Sequence, residues 1–170
     1  AISGNSSSGT GTTSGGGGIY VNSNSPTVTN CTITGNSSSK YGGGLFVYNG
    51  TPNVKNTILW NDTATSSGHE VYIYNDVSVT ITYSDVEGNQ WTIGGTKTSL
   101  TYENNIDADP LFTDASSNNY HLLDTSACIA RGTATGAPTD DIEGTSRGTP
   151  PYIGAYENAL KAPSTSSIFI

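Results

Sequence analysis

The chain has 170 residues, 33% of them hydrophobic, which is enough for the core of one domain. Only 12% are charged, against about 25% in an ordinary soluble domain, and the net charge is -8. The 6 Lys and Arg residues offer no basic stripe, so we expect no nucleic-acid partner. No apolar run approaches the roughly 20 residues that cross a bilayer, so we also expect no membrane span.

A repeat of 26 residues organises the first part of the chain. Residues 16–21 (GGGIYV) recur as 42–47 (GGGLFV), and residues 26–30 (PTVTN) recur as 52–56 (PNVKN). A weaker third copy begins at residue 68 (GHEVYI), and its second half slips by about one residue. A period of about 20 to 50 residues indicates structural units that stack on one another.

Each copy contains short alternating runs rich in Val, Ile, Thr and Tyr, which predict strands of about four to six residues. Gly, Asn, Ser and Pro separate these runs and favour turns. Strands this short form sheets only when each pairs with its counterpart in the next copy, about 4.8 Å away. The pattern therefore predicts an all-β fold, a parallel β-helix of about three to four coils of ~26 residues.

The chain divides into three parts. Residues 1–105 carry the coils, residues 106–160 are expected to cap their C-terminal end, and residues 161–170 form an extended tail. Residues 2–8 match residues 33–39, so we expect the chain to begin partway through a coil and leave a strand edge open. The tail ends in three apolar residues that we expect to contact a neighbouring subunit: Ile168, Phe169 and Ile170.

Two sets of segments resemble known families. The GGGIYV segment and residues 30–36 (NCTITGN) resemble secreted bacterial right-handed parallel β-helix repeat proteins. Four later segments resemble the C-terminal module of choice-of-anchor Q domain proteins: residues 109–112 (DPLF), 126–132 (SACIARG), 141–147 (DIEGTSR) and 153–157 (IGAYE). The resemblance implies a right-handed β-helix and an extracellular or cell-surface location. Such proteins range from adhesins to polysaccharide-degrading enzymes, so the resemblance implies a function of one of these kinds.

The repeat predicts a column of outward-facing aromatic residues. Ile19, Leu45 and Val71 align and should point into the core, so the residues that alternate with them should point outward. These outward positions hold five aromatic residues: Tyr20, Phe46, Tyr48, Tyr72 and Tyr74. Such an aromatic ladder can bind a glycan by stacking on sugar rings, or it can be covered by the cap, the tail or another protein.

We predict no catalytic site. Lys55 is the one basic residue placed outward on a repeat strand, and no second base aligns with it. Asp85 and Glu87 are two residues apart but fit a solvated turn, and His69 occupies a glycine position of the repeat. A polysaccharide lyase or glycosidase remains the enzymatic alternative, because such enzymes need an aligned base or paired carboxylates.

We predict no metal site and no cofactor, with calcium as the open alternative. Two acidic groups offer oxygen ligands without the spacing of an EF-hand: Asp107, Asp109 and Asp114, or Asp140, Asp141 and Glu143. Within the second group, Asp141 is expected to form an ion pair with Arg147.

Cysteine and asparagine residues allow further alternatives. Cys31 and Cys128 are either two buried free thiols or one disulfide, and a disulfide would fit an extracellular location. Asn30 and Asn56 align and should form a stacked amide ladder. Five sequons occur, a number that this composition produces by chance, at Asn5, Asn30, Asn36, Asn49 and Asn61.

Together these features predict a non-catalytic extracellular structural protein. Its open strand edge and apolar tail would associate end to end and give a filament or surface layer, because contacts between unlike surfaces propagate. The alternative is a carbohydrate-binding or adhesin module of a larger secreted protein that uses the aromatic ladder.

Overall fold

The computed structural model describes residues 1–158, and it confirms the predicted all-β fold built from parallel strands. The first layer contains β1 (Ile2–Ser3), β2 (Ser6–Ser7), β3 (Ile19–Val21) and β4 (Thr27–Thr29). The second contains β5 (Thr32–Thr34), β6 (Ser37–Ser38), β7 (Leu45–Val47) and β8 (Asn53–Lys55). The third contains β9 (Ile58–Trp60), β10 (Thr63–Ala64), β11 (Val71–Ile73) and β12 (Val79–Thr82). The fourth contains β13 (Asp85–Val86), helix α1 (Asn89–Thr92), β14 (Gly94–Gly95) and β15 (Leu100–Glu103).

Equivalent strands of successive layers pair in parallel, which gives the stack four sheets. Sheet A contains β1, β5, β9 and β13, and sheet B contains β2, β6 and β10. Sheet C contains β3, β7, β11 and β14, and sheet D contains β4, β8, β12 and β15. This stacking of similar layers is compatible with a parallel β-helix.

The 26-residue period fixes the register between layers. Leu45 pairs with Ile19 on one side and with Val71 on the other, as the sequence predicts. In sheet D the third copy is displaced by one residue along the sequence, as predicted, so Thr80 pairs with Asn53. The apolar residues Ile81 and Val54 therefore remain paired. A parallel strand slipped by one residue turns its apolar side chains to the wrong face, so a repeated apolar pattern selects one register.

The core lies between the sheets and consists of aliphatic columns. Sheet A contributes Ile33, Leu59 and Val86, sheet C contributes Val21, Val47 and Ile73, and sheet D contributes Val28, Val54 and Ile81. Burying each such side chain stabilises the fold by roughly 1.5–3 kcal/mol. Alternation along each strand leaves the intervening side chains on the outer faces.

The layers turn at positions with left-handed backbone conformation. Asn30 and Asn56 have φ of 49° at the turn between sheets D and A. Asparagine adopts this conformation more readily than most residues because its short side chain bonds locally. Gly43 serves a different purpose: a Cβ there would collide with the Thr63 backbone, so glycine lets sheets B and C approach closely.

Residues 106–158 pack against the side of the stack. They contain an antiparallel hairpin of β16 (Phe112–Asp114) and β17 (Asn119–Leu122), joined by a 3-10 helix (Ala115–Ser117). A second apolar cluster joins this region to the outer face of sheet A, and its buried members are Ile58, Leu122, Cys128 and Ile153.

The contacts of this region run along several layers. The Cys128 thiol bonds to Asp85 in the fourth layer, and the Ala155 N–H donates to the Thr32 hydroxyl in the second. The sequence predicted a cap at the C-terminal end of the coils, whereas these contacts lie beside the stack. The tail residues Ile168, Phe169 and Ile170 lie outside the described residues. Within residues 1–158, no helix has both the length and the apolar character needed to span a membrane.

Candidate functional site

Parallel pairing brings the predicted aromatic residues together on sheet C. Tyr20, Phe46 and Tyr72 occupy one column, with ring centroids 5.2 Å apart between Tyr20 and Phe46 and 5.8 Å apart between Phe46 and Tyr72. Tyr48 and Tyr74 follow β7 and β11 and lie 5.4 Å apart. The repeat therefore places all five predicted aromatic residues in one continuous cluster.

Phe46 corrects the expectation of a fully exposed ladder. Its side chain is 0% exposed, because rings from both adjacent layers and from a turn surround it. The turn residue is Tyr41, whose ring centroid is 4.3 Å from Tyr72 and 6.3 Å from Phe46. Gly15 permits this packing, since a Cβ at Gly15 would lie 2.7 Å from the Phe46 ring.

Sequence reasoning missed Tyr41. A signal existed, because Gly15, Tyr41 and Ser67 are spaced by the repeat period and their backbones pair in the structure. Tyr41 lies outside the strands, where alternation gives no information on side-chain direction. We call the tyrosines around buried Phe46 the aromatic surface: Tyr20, Tyr41, Tyr48, Tyr72 and Tyr74.

The aromatic surface is accessible to solvent, and its tyrosine side chains carry no charge near neutral pH. Tyr20 is 42% exposed and the other four tyrosines are half-buried. Among residues 1–158, no protein group forms a hydrogen bond with any of these five hydroxyls. Burial, followed by repulsion from neighbouring tyrosines, raises the pKa of Tyr72, so its hydroxyl keeps its proton near neutral pH.

Polar groups border the aromatic surface. The Lys40 ammonium lies 5.4 Å from the centroid of the Tyr41 ring, within range of a cation–π contact. The Asn75 amide donates to the Asn49 side chain and to the Tyr48 carbonyl, which fixes the turn after Tyr74. The surface thus combines flat rings with hydrogen-bonding groups, a combination that can bind a sugar.

A groove lined by small hydroxyl side chains follows sheet B. Its volume is about 370 Å³, and sequence reasoning did not identify it. The lining residues are Ser6, Ser7, Ser8, Ser37, Ser38, Ser39, Thr63, Ala64 and Thr65. Residues 39–41 connect this groove to the aromatic surface along the chain.

The residues considered for catalysis make separate structural contacts. Lys55 Nζ donates to the Thr135 carbonyl, and His69 Nδ1 accepts the Ala64 N–H. Asp85 is not in a solvated turn but is buried, and burial raises its pKa to about 7. Glu87 accepts the Asn61 N–H, so no base and acid face one another among these residues.

The acidic groups considered for calcium do not converge. Asp107 accepts the Gly88 N–H, and Asp141 accepts the Glu143 and Thr145 N–H groups. In the part of the chain that is described, no three His, Cys, Asp or Glu side chains are grouped as metal ligands.

The sequence predicted an ion pair between Arg147 and Asp141, and this prediction is wrong. The Arg147 guanidinium instead forms a buried ion pair with Glu157 at 3.1 Å. Asp141 accepts the Glu157 N–H, so it supports the same loop through the backbone.

The structure also separates the two cysteines. Both are free: the Cys31 thiol donates to the Thr29 carbonyl, and the Cys128 thiol donates to the Asp85 carboxylate at 3.0 Å. The disulfide alternative is therefore wrong for this structure. Burial, followed by repulsion from Asp85, raises the pKa of Cys128 far above its ordinary value, so this thiol is not a nucleophile.

Burial separates the asparagines into two groups. Asn30 and Asn36 are buried, so neither can carry a glycan in this fold. Asn5 and Asn61 are exposed, and Asn49 is half-buried, so these three keep the glycosylation prediction open. The predicted amide ladder is confirmed, because the Asn56 side chain donates to Asn30 Oδ1 at 3.1 Å.

No family model matches the chain, and neither a curated protein nor a solved structure matches it.

Proposed function

We propose that the chain is a right-handed parallel β-helix module of a secreted protein and that its aromatic surface binds a glycan chain. The parallel pairing of similar layers supports the helix, and the resemblance to secreted repeat proteins supports its hand and location. The observation that carries the binding proposal is the group of five neighbouring tyrosines around one buried ring.

The geometry suits a chain of linked sugar rings better than a single small molecule. The tyrosines recur at the spacing of parallel strands, about 4.8 Å per layer, so they present several stacking positions along the stack. Their hydroxyls bond to no protein group within residues 1–158 and can bond to sugar hydroxyls. The hydroxyl-lined groove of sheet B offers further polar contacts beyond Tyr41.

The binding test removes two rings from the end of the aromatic surface. Tyr48→Ala with Tyr74→Ala should weaken glycan binding by about 1–3 kcal/mol, because each aromatic stacking contact contributes about 0.5–1.5 kcal/mol. A glycan array identifies the ligand, and titration calorimetry measures its affinity for each variant.

The matched control replaces a tyrosine in another part of the stack. Tyr83 has φ of 51° and occupies the turn position that Asn30 and Asn56 hold in earlier layers, so Tyr83→Asn should preserve the fold. It should also preserve affinity, because Tyr83 contacts none of the clustered rings. If the unmodified protein binds no glycan on a broad array, the proposal is wrong.

A second candidate is end-to-end self-association, the function that the sequence favoured. β3 and β4 are the edge strands of sheets C and D, and neither has a neighbour on its outer side among residues 1–158. A strand from another copy could pair with these edges. The contribution of Ile168, Phe169 and Ile170 stays a prediction, since they lie outside the described residues.

Electron microscopy combined with light scattering tests this candidate. Filaments would support it, and deletion of residues 168–170 should then abolish them if the tail is the donor. Discrete monomers at high protein concentration would contradict self-association and leave glycan binding unaffected.

A further inference from the structure

A column of side chains stabilises the turn between sheets A and B. Asn5, Asn36 and Asp62 hold equivalent positions in the first three layers. Asn36 Oδ1 accepts the Asn5 N–H at 3.1 Å, and Asp62 Oδ1 accepts the Asn36 N–H at 2.7 Å and its side-chain amide at 2.9 Å. Each layer thereby satisfies a backbone donor of the layer before it.

The column changes in the fourth layer. The equivalent residue is Asn89, which begins α1, and its Oδ1 accepts the Gln90 N–H instead. The Asp62 N–H therefore needs another acceptor, and Glu70 Oε1 supplies it at 3.0 Å. Glu70 takes a position held by Gly44 in the second layer, so the third copy departs from the repeat at the point where the column ends.

Two buried carboxyl groups meet as a result. Asp62 is 3% exposed and Glu70 is 2% exposed, and the Glu70 carboxyl lies beside Asp62 because its Oε1 accepts the Asp62 N–H at 3.0 Å. Asp62 Oδ2 and Glu70 Oε2 are both buried without a hydrogen-bond partner. An ionised carboxylate only accepts hydrogen bonds, so two of them can bond to each other only through a proton.

The surroundings favour protonation. Burial is the largest cause that raises the pKa of both carboxyls, and repulsion between them raises that of Glu70 further. The fourth-layer carboxylate of Glu87 raises both pKa values as well. Adjacent His69 is exposed and bonds to the Ala64 N–H, and neither carboxyl belongs to an ion pair within residues 1–158.

We propose that Asp62 and Glu70 hold one shared proton and that this proton closes the side-chain column at the third layer. Loss of the proton leaves two neighbouring negative charges buried, which weakens the turn that leads into β10. The pair is thus a pH-sensitive element in the repeat.

The sign of the effect follows from linkage. The folded chain holds the proton above the ordinary carboxyl pKa, whereas the unfolded chain releases it. The stabilisation is complete below about pH 4, where both states are protonated, and it is lost as the pH rises. One extra proton in the folded state lowers the folding equilibrium constant about tenfold for each pH unit above that range.

Glu70→Gln is the main test variant. The glutamine side chain keeps an acceptor for the Asp62 N–H and places an amide donor opposite Asp62 Oδ2, so no proton is needed. Asp62→Asn is a second variant, because asparagine already holds this position as Asn5 and Asn36. Asp76→Asn is the control, since Asp76 is an exposed carboxylate in the same layer.

Urea unfolding between about pH 4 and pH 9 compares the four proteins. We expect the folding equilibrium constant of the unmodified protein to fall by up to about tenfold per pH unit relative to those of Glu70→Gln and Asp62→Asn. The pH dependence of the Asp76→Asn folding constant should match that of the unmodified protein. Equal pH profiles for the unmodified protein and both pair variants would overturn the proposal.

Infrared spectroscopy provides an independent measurement on the folded protein. At about pH 9 the ordinary carboxyls and Asp85, whose pKa is about 7, are ionised, so a band from a protonated carboxyl reports the shared proton. That band should be present in the unmodified protein and in Asp76→Asn and absent in Glu70→Gln. Its absence from the unmodified protein would also overturn the proposal.

Discussion

Replacing Phe46 with alanine tests whether one buried ring holds the aromatic surface in place. The Phe46 side chain is 0% exposed and has four aromatic neighbours, with centroids between 5.2 and 6.3 Å away. Truncation of a buried phenylalanine costs about 3–5 kcal/mol, through lost burial and the cavity that remains. Because aromatic pairs add about 0.5–1.5 kcal/mol each, we expect Phe46→Ala to lie near the upper end of that range.

Two further variants separate burial from ring contacts. Phe46→Leu fills most of the volume but loses the aromatic contacts, so we expect a cost of about 1–2 kcal/mol. Tyr20→Ala is the matched control, since Tyr20 belongs to the same column but is 42% exposed. We expect it to cost less than about 1 kcal/mol.

Urea unfolding monitored by circular dichroism measures these differences as shifts in midpoint at constant slope. If Phe46→Ala costs less than about 1 kcal/mol, the ring is not buried and the description of the aromatic surface is wrong. Phe46→Leu should also weaken glycan binding, because Tyr41 and Tyr72 lose the ring that supports them. Full glycan affinity in a folded Phe46→Leu protein would contradict that part of the reasoning.

Three other predictions concern buried groups of the stack and of residues 106–158. Burial raises the pKa of Asp85 to about 7, so its contribution to stability is complete below pH 3.8 and is lost as the pH rises through about 7. Asp85→Asn should flatten this dependence in thermal unfolding at a series of pH values. Arg147→Ala leaves Glu157 buried without its ion-pair partner and should cost about 3–5 kcal/mol, with faster proteolysis of residues 132–158. Thiol titration without reductant should find both Cys31 and Cys128 after unfolding, and Cys128 should be unreactive in the folded protein.

Periodicity explains why most of the fold could be predicted. The same local pattern recurs every 26 residues, and equivalent strands pair because their apolar side chains must all face one core. The pairing of Ile19, Leu45 and Val71 follows from this repeat, as does the slip at Thr80. The packing of residues 106–158 could not be predicted in this way, because that region has no repeat to fix its partners.

Exposure within the candidate site was harder to predict than position. Alternation places Phe46 on the outer side of its strand, but a turn residue from the same layer, Tyr41, covers it there. Alternation indicates the direction of a side chain relative to its own strand, and it carries no information on what lies beyond. The same limit applies to Asn30 and Asn36, which are sequons by pattern and buried in the fold.

The order of residues alone determines the repeat, the strands, the register and the columns of like side chains, because these depend on local periodicity. Tertiary structure decides which polar groups lose contact with water and which groups they meet. Asp62 and Glu70 are eight residues apart in the chain, and no sequence pattern pairs them with each other. Their shared environment exists only when the layers stack, since desolvation and repulsion depend on every neighbouring group in space.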